Sequence, residues 1–183
     1  MNSRVKLILL LPVFCVSFGG CAMYQSIVKS SFPYTTTLTV SGTAQPGSEH
    51  SAINMANSFD QNFNFKKGGS DADRITLVRV ISAKLTSLEP TDYNIGNLSG
   101  VKIYLSKEDG SDEMLVARRD SISDLSGNTI TLITDKSKLL DQLVREKSIR
   151  VRMLYDTRQS INRDANIQVV LGLSAYPRPV DNN

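Results

Sequence analysis

Val101-Lys102-Ile103-Tyr104-Leu105-Ser106, followed by Lys107–Glu113 (KEDGSDE) and then Met114–Arg118, decides the fold class. Val101, Ile103 and Leu105 alternate with Lys102, Tyr104 and Ser106, the period of a strand with one apolar face. Asp109-Gly110 in the linking segment supplies the backbone freedom that a tight connection needs. The stretch therefore predicts two antiparallel strands joined at residues 107–113.

The same period recurs on both sides. Toward the C-terminus, Thr129–Thr134 follows Gly127-Asn128. Ile149–Tyr155 sets Ile149, Val151 and Met153 against Arg150 and Arg152. Asn166–Tyr176 places Ile167, Val169, Leu171, Leu173 and Ala175 on one face. Toward the N-terminus, Tyr34–Gly42 is a strand candidate, with Leu38 and Val40 on one face and threonines on the other. Residues 74–88 are a long β-prone run. Its second half alternates, with Ile81, Ala83 and Leu85 against Ser82, Lys84 and Thr86. Its first half is apolar on both sides, so the phase slips near Arg79, as at a bulge or where a strand passes between two sheets.

One segment departs from this pattern. Residues 136–146 place Leu139, Leu140, Leu143 and Val144 at helical spacing, with Asp135 or Ser137 available as a cap, and predict one short helix. Residues 50–65 fit a helix, an edge strand or a loop equally well. The sum is an all-β domain over residues 34–183, a β-sandwich of about 7–9 mostly antiparallel strands with one short helix, and a barrel as the alternative. It lacks the Trp and Cys of a true immunoglobulin domain.

The first 21 residues follow other rules. Residues 1–6 carry Arg4, Lys6 and no acid, residues 7–18 are almost wholly apolar, and Gly19-Gly20-Cys21 follows. These are the three parts of a secretory signal. The apolar run is shorter than the roughly 20 residues of a spanning helix and is interrupted by Pro12. Phe18-Gly19-Gly20-Cys21 resembles the lipobox of bacterial lipoproteins, with Gly20 in the favoured place and Phe18 and Gly19 departing from the usual residues. That resemblance implies removal of residues 1–20 as a signal and acylation of Cys21 with two or three chains, which hold a protein to the bilayer far more firmly than one. Ala22, where retained lipoproteins of the enterobacterial type carry Asp, favours the outer membrane if the source has one. Cleavage after Ala22 and an uncleaved anchor are the alternatives. Residues 21–33 then form the lipidated cysteine and a tether, although Tyr24, Ile27, Val28 and Phe32 are apolar enough to dock in part.

Composition narrows function. Without its first twenty residues the 183-residue chain retains 163, enough for one domain. Basic residues outnumber acids 21 to 18, but Arg4 and Lys6 leave with the signal and the margin falls to one. That gives no drive toward nucleic acid. The two cysteines, Cys15 and Cys21, both precede the domain, leaving it no disulfide and no thiolate site.

Reactive constellations are equally scarce. The single histidine, His50, lies in a polar segment that reads as an exposed loop without a nucleophile elbow. One histidine and no thiol cannot build a zinc site. Asp71 and Asp73 flank one turn, and Glu108, Asp109, Asp112 and Glu113 lie within another, whose KEDGSDE sequence lacks the alternate spacing of a calcium loop. Gly68-Gly69-Ser70-Asp71-Ala72-Asp73 has no lysine to cradle phosphate. Tyr104, Tyr155 and Tyr176 read as strand residues, and Arg118, Arg119, Arg150 and Arg152 as a solvated basic strip. The sequence thus predicts no catalytic, cofactor or metal residues. It predicts a non-enzymatic envelope module, held to the bilayer through acylated Cys21, that binds an envelope protein or polymer through loops or a sheet edge. An Asp/Glu hydrolase, whose paired carboxylates are defined only in space, and a carbohydrate-binding lipoprotein are the alternatives.

Overall fold

The computed structural model describes residues 30–57 and 75–177; the predicted signal segment, Cys21 and most of the predicted tether lie outside them. Eight strands are formed by the described residues: β1 (Ser30–Val40), β2 (Glu49–Asn57), β3 (Ile75–Glu89), β4 (Leu98–Lys107), β5 (Met114–Arg119), β6 (Thr129–Thr134), β7 (Ser148–Thr157) and β8 (Ala165–Pro177). The hydrogen-bonded order is β1-β8-β3-β6-β5-β4-β7-β2, antiparallel wherever strands pair. Only Ala117↔Thr134 and Arg118↔Ile133 join β5 to β6. The order therefore divides into two four-stranded layers, β1-β8-β3-β6 and β5-β4-β7-β2. On the opposite side β1 and β2 approach, and Asn54 Nδ2 spans the gap to Thr36 Oγ1 (3.2 Å) and Thr37 O (2.8 Å).

The pairings β1·β8, β2·β7, β3·β6 and β4·β5 are those of one long hairpin folded back on itself. Rolling that hairpin adds β3·β8, β4·β7 and β5·β6 and makes a sandwich of jelly-roll topology. The predicted hairpin is its tip: Lys107 N bonds Ser111 O at 3.0 Å, and Gly110 sits at φ 87°.

The inner residues are those that alternation predicts. Val101, Ile103 and Leu105 of β4, Ile149, Val151 and Met153 of β7, and Ile167, Val169, Leu171, Leu173 and Ala175 of β8 are buried. The slip in β3 consists of two bulges, between Thr76 and Arg79 and between Val80 and Ser82, where β3 changes register against β8. Each bulge absorbs one residue, so Ile75, Val78, Val80, Ala83 and Leu85 all reach the core. Ile81, expected beside Ala83 and Leu85, falls in the second bulge and is only half-buried.

Three other expectations change. The helix over 136–146 does not form: residues 135–147 cross between the layers with a single 3-10 turn at Leu143–Arg145. Leu140, Leu143 and Val144 plug the core end while Leu139 stays exposed, so the apolar spacing serves a crossing segment. Asp135 Oδ1 takes the Ser137 N–H (3.0 Å) and hydroxyl (2.6 Å), a local turn that competes with helix initiation. The ambiguous stretch is a strand up to Asn57, and residues 58–65 lie outside the described residues. β1 begins at Ser30, so residues 30–33 of the segment read as tether already run along β8, with Phe32 packed against the core.

Strand direction sorts the connections. Loops 41–48, 90–97, 120–128 and 158–164 gather at one end, called distal here. The 108–113 turn, the 135–147 crossing, the start of β1 and the end of β8 share the other.

Two tyrosines of the core make stability depend on alkaline pH. Burial raises the Tyr34 phenol above its ordinary range. For Tyr93, burial first and nearby Tyr155 second push the phenol up to about 12, against a lowering by Asn97. In the unfolded chain both ionise near pH ~10. Their contribution is complete below that pH and is lost as pH rises through the folded-state values. The urea midpoint should fall between pH 10 and pH 12, and Tyr93→Phe should flatten that fall; an unchanged slope contradicts the burial of Tyr93. A second test concerns Gly96, where an added Cβ would lie 2.5 Å from the carbonyl oxygens of Ser123 and Asp124. Gly96→Ala should cost about 1–3 kcal/mol in urea unfolding. Gly100→Ala, whose nearest contact is 3.4 Å, should cost well under half as much.

Candidate functional site

At the distal end four loops are bonded into one surface. Arg158, just past β7, donates Nε to Gly96 O (3.1 Å), a guanidinium N–H to Ile122 O, and its backbone N–H to Asn97 O (2.8 Å). Ile95 N bonds Gly127 O at 2.7 Å, and Asn94 reaches Asp124 O at 2.5 Å. Gly42 N meets Asp164 Oδ1 at 2.6 Å, and a Cβ at Gly42 would collide with the Arg163 backbone at 2.6 Å. A loop set fixed by hydrogen bonds between its members loses little freedom on binding, which is how a rigid recognition surface is built. From it projects Leu125, 88% exposed.

A second surface is the outer face of the β5-β4-β7-β2 layer. The Arg152 guanidinium lies 4.6 Å from the centroid of the Tyr104 ring. Glu113, at the base of β5, accepts from Arg152 Nε (2.7 Å), from the second Arg152 nitrogen, and from Arg150 (3.3 Å). Lys102 pairs with Glu49 at 3.0 Å, which holds its ammonium above the usual lysine range. On the flanking strand β2, Ile53 (51%) and Met55 (42%) are exposed. Aromatic, Met and Arg side chains held together in this way have the composition of protein-contact cores. The outer face of the other layer differs: Thr35, Thr37, Thr39, Thr86, Thr129 and Thr131 dominate it, with Lys84 among them.

The residues singled out in sequence are dispersed. Cys21, the predicted lipidation site, lies outside the described residues, as do Asp71 and Asp73. His50 is on strand β2 and not in a loop. Its ring faces Tyr155 with centroids 5.5 Å apart, and Nε2 contacts Gln45 O at 2.8 Å, so it seals the β1–β2 connection. The hairpin acids do not converge: Asp109 accepts from Ser111 and its carboxyl is held below the usual range by that bonding. Asp112 pairs with Lys107 (2.8 Å), and Glu108 accepts from Ser148 (2.6 Å). The basic strip divides too. Arg150 and Arg152 share Glu113, Arg118 meets Asp120 at 3.4 Å, and Arg119 bonds the carbonyls of Ser121 and Thr131. Tyr155 is buried, with its hydroxyl accepting from Ser41 N at 3.0 Å, while Tyr104 lies on the outer face.

Among the described residues no group of three or more His, Cys, Asp or Glu is placed to hold a metal. A groove of about 450 Å³ lies between the hairpin and the crossing, lined by Asp112, Glu113, Met114, Leu139, Asp141 and Leu143. Neither Arg158 nor Leu125 carries a sequence signal, because their roles arise only when distant loops meet at one end.

The sequence matches no family model and no curated protein. Among solved structures, similarity extends to a decameric BFDV capsid protein, at 8% identity and TM-score 0.39 over 82% of this chain and 98% of that one. It also extends to a carbohydrate-binding module of the β-sandwich superfamily, described as having promiscuous specificity. There the identity is 9% and the TM-score 0.30, over 76% of this chain and 54% of that one. At such values neither likeness bears on what this chain binds.

Proposed function

We propose that this chain is a lipid-anchored bacterial envelope protein whose β-sandwich acts by binding and not by catalysis. The observation that carries the proposal is Cys21, set at the exit of an apolar export segment and nine residues before β1 begins at Ser30. Those nine residues extend at most about 30 Å. The anchor therefore holds the β1-start end near the bilayer. The distal loops stand farther out by the length of the sandwich, about 35 Å for the 11 residues of β1.

Two features favour binding in that placement. The distal loops are prearranged by side-chain and backbone hydrogen bonds between them, and the Tyr104–Arg152–Glu113 group lies beside exposed Ile53 and Met55. The partner class is another envelope protein or an envelope polymer. Ala22 after the cysteine favours the outer membrane in a source that has one.

Intact mass of the mature chain should place its N-terminus at Cys21 with two or three acyl chains attached, and Cys21→Ser should remain as precursor. A serine variant that matures and fractionates with membranes as the parent does contradicts the anchor. In the same cells, a photoreactive residue at position 125 should trap one discrete envelope partner. Adducts no different from those at position 35 contradict the binding role.

A further inference from the structure

Leu77 occupies the left-handed region at φ 54°, where a bulky side chain is strained. It sits in the first β3 bulge, between buried Ile75 and Val78, and is itself 40% exposed. The bulge thus turns one leucine of an apolar run away from the core. Leu140 N bonds Val78 O at 2.9 Å, which lays the 135–147 crossing beside this part of β3. Leu139, next to that bond, is 42% exposed, and Lys136 and Lys138 beside it are exposed as well. Two exposed leucines and two exposed lysines therefore lie at the end of the sandwich where β1 starts.

Asp141 lines the groove with one buried carboxylate oxygen that has no hydrogen-bond partner, and three other acids at this end are engaged. Asp135 is engaged by Ser137, Asp112 by Lys107, and Glu113 by Arg150 and Arg152. The hairpin that carries the last two lies under the β4–β5 side, across the groove from Leu139. The leucine–lysine corner is thus the part of this end suited to an apolar boundary lined with phosphates.

We propose that this corner is a membrane-contact surface, in which Leu77 and Leu139 settle at the headgroup–acyl boundary and Lys136 and Lys138 meet lipid phosphates. The inference rests on the anchored reading for proximity, since Ser30 follows Cys21 by nine positions, a tether short enough to bring this end to the bilayer. Side chains in such a contact reach about 5–10 Å into the interface. Lysines near the surface add attraction to anionic lipid. The anchor supplies high effective concentration, so a weak contact suffices to orient the domain.

The lipidated chain is tested in vesicles of phosphatidylethanolamine and phosphatidylglycerol. On the anchored reading its mature form has no free thiol, so a cysteine at 77, 139 or 125 can be labelled alone with a polarity-sensitive dye. Dyes at 77 and 139 should shift to the blue and resist an aqueous quencher several-fold better than the dye at 125. Equal quenching at all three positions overturns the surface and leaves the anchor standing.

A second arm uses the unlipidated mature chain with Cys21→Ser. It should sediment weakly with the same vesicles, and Leu77→Ser with Leu139→Ser should reduce that binding about tenfold. If the native chain carries no lipid but this arm behaves as stated, the surface stands and the anchor falls. Sedimentation unaffected by the double substitution, or none at all, counts against the surface.

Discussion

The antiparallel pairing of β1 with β8 is the constraint on which the rest of the structure depends. Eleven register pairs, from Ser30↔Ala175 to Val40↔Ala165, bind the two ends of the described chain. β8 also pairs with β3, so the most buried strand of one layer lies between the first strand and the third. Once these strands are aligned, the remaining chain folds as a nested hairpin and its connections sort to two ends. A one-residue slip would turn Ile167, Val169, Leu171 and Leu173 out of the core, a cost that fixes the register.

The domain has no disulfide to reinforce it, because both cysteines precede Ser30. Packing between layers and the bonding of loops replace it. At the distal end, Arg158 links three loops through carbonyl oxygens, and Gly42 and Gly96 allow backbones to approach more closely than any side chain would permit. At the opposite end, Leu140, Leu143 and Val144 close the core without a helix. A stiff body with differently built ends is consistent with the proposed placement, in which one end is held at a bilayer and the other is presented outward.

Much of the fold was legible in the sequence because a half-buried strand records its environment every second residue. Alternation gives the inner faces of β4, β7 and β8 correctly and places β5 as the return strand of the hairpin, and the phase slip near Arg79 marks real bulges. The 136–146 segment misled because leucines at helical spacing also suit a segment that plugs the end of a sandwich. His50 was placed in a loop because Gly47, Ser48 and Glu49 precede it, but pairing with Tyr155 draws it into β2. The Arg158 network and the outward turn of Leu77 left no trace, since both depend on contacts between segments far apart in the chain. Cys21 is the reverse case: its signal is wholly local and lies outside the described residues.

The β1·β8 register can be measured directly by cross-linking. Thr37 and Gln168 are register partners on the outer face, and the folded domain has no cysteine of its own. A Thr37→Cys/Gln168→Cys pair should oxidise readily to a disulfide with native stability retained, since partners in a sheet lie within bridging distance. Thr37→Cys with Val169→Cys, whose side chains point to opposite faces, should not. Preferential bridging of the second pair would contradict the pairing from which the two layers, the core and both ends of the molecule follow.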